Sequence, residues 1–72
     1  MTVQLYTLPD CSICHMIKKK LESKAIIFDE CDFNDIAESM GLERAPLLKV
    51  TTKDETQYFM SPSKMVEWIN AQ

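Results

Sequence analysis

At 72 residues the chain has room for one small domain, taken here to span residues 1–72. A chain of this size buries only about 60% of its unfolded surface on folding. Apolar residues make up 46% of it, which excludes the polar composition of a disordered chain. The net charge of −3 argues against a nucleic-acid partner, and the single glycine, Gly41, excludes both the P-loop and the dinucleotide fingerprint.

No apolar run approaches the roughly 18 residues of a membrane span. The first residues, Met1 to Tyr6, lack the basic start and long apolar centre of a secretory signal. A cytoplasmic location without membrane attachment is therefore expected. Three cysteines are odd in number and too few for a disulfide-stapled secreted scaffold. In a reducing compartment such cysteines point to redox chemistry or metal.

In chain order, Thr2 to Thr7 is β-branched and aromatic and predicts a strand, broken by Pro9-Asp10. Ser12 to Ser23 predicts a helix with Ile13, Met16, Ile17 and Leu21 on one face. Lys24 to Cys31, centred on Ala25-Ile26-Ile27-Phe28, predicts an inner parallel strand, apolar on both faces. Asp32 to Met40 predicts a short helix capped by Asp32 or Asn34 and stopped by Gly41. Leu47 to Thr51 and Thr56 to Met60 predict two strands joined by a polar turn. Ser61-Pro62 opens a last helix with Met65, Val66 and Ile69 on its buried stripe and Trp68 beside them. The order is β-α-β-α-β-β-α. A helix between the first two strands implies a parallel, right-handed crossover, and the short turn between the last two implies an antiparallel pair. The fold class is thus α/β, with a four-stranded mixed sheet flanked by three helices.

The chemistry centres on Cys11-Ser12-Ile13-Cys14, at the passage from the first strand to the first helix. Thiols three positions apart at a helix start can close a disulfide. The unpaired N–H groups and partial positive charge there favour a thiolate, drawing the first cysteine below the ~8.5 of a free thiol. Cys11 is then the exposed nucleophile and Cys14 the shielded thiol that resolves the mixed disulfide. His15 and Lys18 favour the thiolate, and Asp10 opposes it.

Two other chemistries match the same residues. Cys11 to His15 fits the haem-attachment pattern, which requires export and a mostly helical fold. Cys11, Cys14, His15 and Cys31 are all possible metal ligands, although no second tight pair accompanies the first. Cys31 reads as a small buried residue of an inner strand, Met16, Met65 and Trp68 as core, and Lys18-Lys19-Lys20 as an exposed helical face.

Beyond these residue-level readings, the chain resembles the glutaredoxin-like redoxins of the thioredoxin superfamily. The resemblance is carried by Leu5-Tyr6-Thr7, Cys11 to Cys14, Lys18 to Leu21, Phe28 to Phe33, and Gly41 to Leu47. It implies a thioredoxin-like fold and a cis Ala45–Pro46 bond facing the dithiol. Ala45 and Pro46 would form one wall of a partner-binding site. Ser12, Ile13, Met60 and Ser61 complete it. The Pro-Tyr insert, the Gly-Gly-Asp segment and the early basic residue of glutathione-using glutaredoxins are replaced here by Ser12-Ile13, Met60-Ser61-Pro62 and Leu8. Together with Ala45-Pro46 and Tyr58-Phe59, these departures are closer to the NrdH type. That type implies no bound cofactor, thioredoxin reductase as electron donor, and a protein disulfide as acceptor, with ribonucleotide reductase a candidate. A glutathione-linked glutaredoxin is the alternative within the family.

Overall fold

The structure, a computed structural model, describes residues 1–72. Its elements are β1 (Thr2–Thr7), α1 (Ser12–Ser23), β2 (Asp29–Asp32), α2 (Asn34–Met40), β3 (Leu47–Thr51), β4 (Thr56–Phe59) and α3 (Pro62–Asn70). The expected order and the four-stranded mixed sheet are both present. The strands lie in the order β2-β1-β3-β4. β1 pairs parallel with β2 and antiparallel with β3, and β3 pairs antiparallel with β4.

Alternation along the strands divides the core in two. Val3 and Leu5 of β1 and Leu48 and Val50 of β3 point to the face covered by α1 and α3. There they meet Ile17, Leu21, Met65 and Ile69 in one buried cluster. Phe59 and Trp68 close its margin with ring centroids 6.2 Å apart. On the other face Tyr6 and Leu47 meet Phe33, with Ile36, Ala37 and Met40 of α2 packed against them.

Three expectations are corrected. The inner apolar strand over Lys24–Cys31 is instead a loop followed by a short, acidic edge strand. Helix α1 ends in a turn in which Ala25 takes φ +55 and the Ile26 N–H donates to the Leu21 carbonyl at 3.0 Å. That turn uses up the residues read as the strand's start. Ile26 and Phe28 then tuck against the large cluster while Ile27, between them, is 93% exposed. Cys31 accordingly sits half-buried on an edge strand. On α1 the buried stripe is Cys14, Ile17 and Leu21, leaving Ile13 and Met16 partly open to solvent on its shoulder. Finally, β4 stops at Phe59, so Met60 stands outside the sheet.

The short helix ends at Gly41 as its sequence suggests, but it starts at Asn34, because Asp32 is the last residue of β2. Asp32 accepts the Asn34 N–H at 2.9 Å, and Gly41 takes φ +65, a conformation that costs a glycine little. No helix is long and apolar enough to cross a membrane.

Candidate functional site

Cys11 is the N-cap of α1, and its sulfur is held where the helix exposes its first N–H groups. The Cys14 N–H donates to Cys11 Sγ at 3.1 Å. This is the capping role usually filled by a serine or aspartate oxygen. No acidic residue lies in the first turn of α1 to oppose a negative sulfur. The two sulfurs form a disulfide, with Cα atoms 5.2 Å apart. Cys11 is half-buried, whereas Cys14, on the inward side of the first turn, is only 2% exposed. The asymmetry follows from helix geometry. The cap stands at the helix end, and the residue three positions on begins the buried stripe that continues through Ile17 and Leu21.

The Ala45–Pro46 peptide is cis, and the Ala45 carbonyl oxygen lies 3.9 Å from Cys11 Sγ. The chain entering β3 thus comes alongside the exposed sulfur, with Pro46 buried and Ala45 half-buried. Ser12 and Ile13 stand exposed on the first turn of α1, and Ile13 keeps 42% of its surface open. Met60 and Ser61 occupy the junction between β4 and α3 and are exposed. The Ser61 hydroxyl pairs with that of Ser63 at 2.9 Å, and no hydrogen bond joins this junction to the dithiol.

A feature that the linear motif did not indicate lies on the other side of Cys14. A cavity of 330 Å³ opens there, with Thr7, Cys14, His15, Glu30, Cys31 and Asp32 among its lining residues. Glu30 is engaged at both oxygens, by Lys18 Nζ at 3.0 Å and by the Thr7 hydroxyl at 3.1 Å. The Lys18 bond first, then the Thr7 bond, holds its carboxyl below the usual carboxylate range. Lys18 is therefore committed to Glu30 and is not a free cation for the thiolate. The clue was a register clue: parallel pairing sets Glu30 beside Leu5, on the face that α1 covers.

Cys31 has no thiol partner. Burial pushes its thiol up, and the carboxylates of Asp29, Asp35 and Glu30 push it further, against the weaker opposing pull of Lys49. No three His, Cys, Asp or Glu side chains converge to hold a metal ion, so the metal reading of Cys11, Cys14, His15 and Cys31 has no geometric support. The four-stranded sheet is likewise at odds with the mostly helical fold that the haem reading requires.

No protein-family model matches the chain, and no curated sequence does. Solved structures do share its fold. The trimeric glutathione transferase TDR1 of Leishmania superposes with a TM-score of 0.74 at 16% identity, over 96% of this chain and 17% of that one. The present chain therefore spans about a sixth of that transferase. The glutaredoxin-like protein NrdH-redoxin from Escherichia coli superposes with a TM-score of 0.64 at 20% identity, over 93% of each chain. The fold is thioredoxin-like.

Proposed function

We propose that this chain is a small thiol–disulfide oxidoreductase, a dithiol redoxin of the glutaredoxin-like, NrdH type acting in the reducing cytoplasm. The observation that carries the reading is the Cys11–Cys14 pair across the first turn of α1, with one sulfur accessible, the other buried, and Ala45 beside the accessible one. In the reduced protein the helix terminus and the Cys14 N–H favour the Cys11 thiolate. That thiolate attacks a disulfide of a partner protein, and the partner's other sulfur leaves. Cys14 then attacks Cys11, releasing the partner reduced and closing the internal disulfide. An electron donor reopens it. The Ala45 backbone serves an extended partner segment in the manner of strand addition, and Ile13, with Ser12, Met60 and Ser61, forms the surrounding contact surface.

The departures from the glutathione-binding pattern favour thioredoxin reductase as donor, with ribonucleotide reductase the first acceptor to try. The test is NADPH-driven reduction of a protein disulfide with either thioredoxin reductase or glutathione and its reductase. Turnover with the first donor supports the NrdH reading. Turnover with glutathione alone replaces it by an atypical glutaredoxin. Cys11→Ser is expected to abolish turnover with either donor, and Cys14→Ser to accumulate mixed disulfides. Activity retained in Cys11→Ser would overturn the redox reading.

A further inference from the structure

The dithiol reaction moves a proton on and off Cys14 in every cycle, yet Cys14 is 2% exposed. The cavity behind it is the opening that Cys14 does adjoin, and at 330 Å³ it far exceeds the ~30 Å³ share of one water molecule. A bridging water fits between Cys14 and a titratable group on the cavity wall.

Four titratable groups share that wall, and three are already engaged. Both oxygens of Glu30 are taken by Lys18 and Thr7, which keep it anionic. Asp32 accepts the Asn34 N–H. The Cys31 thiol is held protonated by burial, then by its neighbouring carboxylates, and its sulfur lies 4.0 Å from the Asp29 carbonyl oxygen. The fourth is His15, the chain's only histidine, whose ring makes no hydrogen bond or ion pair. Imidazole gains and loses charge between about pH 5 and 8, which suits it to both directions of a proton transfer near neutrality. The charged groups that share the cavity wall with it are Glu30 and Asp32 on β2, and Lys18 and Lys19 stand one turn along its own helix. Lys18 is spent on Glu30. Attraction between His15 and Glu30 acts on the carboxylate, so a fixed anion stands ready to balance an imidazolium.

We propose that His15 carries the proton of Cys14 across this cavity, accepting it when Cys14 attacks the mixed disulfide and returning it when the dithiol is restored. The inference rests on the redox reading above. In the forward step the Cys14 thiol gives its proton through a bridging water to neutral His15. The Cys14 sulfur then bonds to Cys11 Sγ, and the bond from Cys11 to the partner sulfur breaks with its electron pair on the partner. The imidazolium discharges its proton to solvent. In the reverse step a donor thiolate attacks Cys11, Cys14 leaves as thiolate, and His15 returns a proton to it.

The test uses the full chain in a Cys31→Ala background, reduced and then mixed with excess dithiobis(nitrobenzoate). Attack by Cys11 releases one equivalent of thionitrobenzoate, and attack by Cys14 on the resulting mixed disulfide releases the second. His15→Gln is expected to slow the second phase roughly tenfold or more near pH 7 and to change the first by much less. The difference should narrow as pH rises and the thiol ionises unaided. In His15→Ala, added imidazole should restore the second phase. An unchanged second phase in His15→Gln near pH 7, or equal slowing of both phases, would overturn the proposal. Absence of a second phase when His15 is intact would instead overturn the dithiol reading beneath it.

Discussion

On the sheet face under α1 and α3, eight buried side chains form a continuous core; on the α2 face there are three. The first face is covered along its length. The second is covered only at the dithiol end, where Tyr6, Leu47 and Phe33 meet α2, while Lys49 and Tyr58 lie beyond that cluster and pair with each other, the ammonium 5.8 Å from the ring centre. None of the residues of α2 is itself buried. Cys14 belongs to a helix clamped by the thick side, and Ala45 packs at the margin of the thin one. The two halves of the site therefore rest on supports of unequal stiffness. The buried sulfur is tied to a packed helix, and the Ala45 segment is held by the smaller cluster.

The largest effect expected from the inequality is on stability. Leu21→Ala, in the thick core, should cost about 2–5 kcal/mol, whereas Ile36→Ala, half-buried on α2, should cost under about half as much. Denaturant titration of both variants measures the difference, and equal losses would break the comparison. A smaller effect is expected at the end of α2. Gly41→Ala should cost about 1–2 kcal/mol from its left-handed backbone alone, because nothing lies within 4 Å of the added carbon. Gly41→Asn should recover part of that loss, and a neutral alanine would mean that the α2 end is looser than its geometry indicates.

The smallest effect concerns the Lys18–Glu30 pair, which ties the edge strand β2 to the thick side. Both side chains are substantially exposed, so Glu30→Gln should cost less than about 1 kcal/mol. The folded protein holds the Glu30 carboxyl below its ordinary value. Its contribution is then fully present above the unfolded carboxylate range, about pH 4.3, and fades as pH falls through the lower folded value. Acid unfolding followed in parallel should show the wild-type advantage over Glu30→Gln narrowing below that range. A gap that stays constant down to the acid transition would mean that the pair contributes nothing by charge.

Much of this was legible along the chain. The strand–cysteine–helix junction and the final hairpin follow from local patterns, because β-branched runs, a Pro-Asp break and helical spacing act over a few residues each. Gly41 and Ser61-Pro62 marked their helix ends for the same reason. The segment from Lys24 to Cys31 was not legible in the same way. Its apolar run has the composition of an inner strand, yet Ala25 turns the chain out of α1 and the pairing falls on Asp29 to Asp32. Composition reports what a segment can bury; only the register with β1 decides which residues pair. The same limit hid the cavity. Cys14 and Glu30 are sixteen positions apart and become neighbours through the parallel crossover, which no local pattern specifies. The sequence by itself determined the element order and the pair of cysteines at a helix start, since these depend on contacts within one turn. The tertiary structure alone decided that Ala45 lies against Cys11, that Glu30 binds Lys18 and Thr7, and that His15 shares a cavity with the buried thiol. Each of those contacts depends on how separate strands and helices are brought together in space.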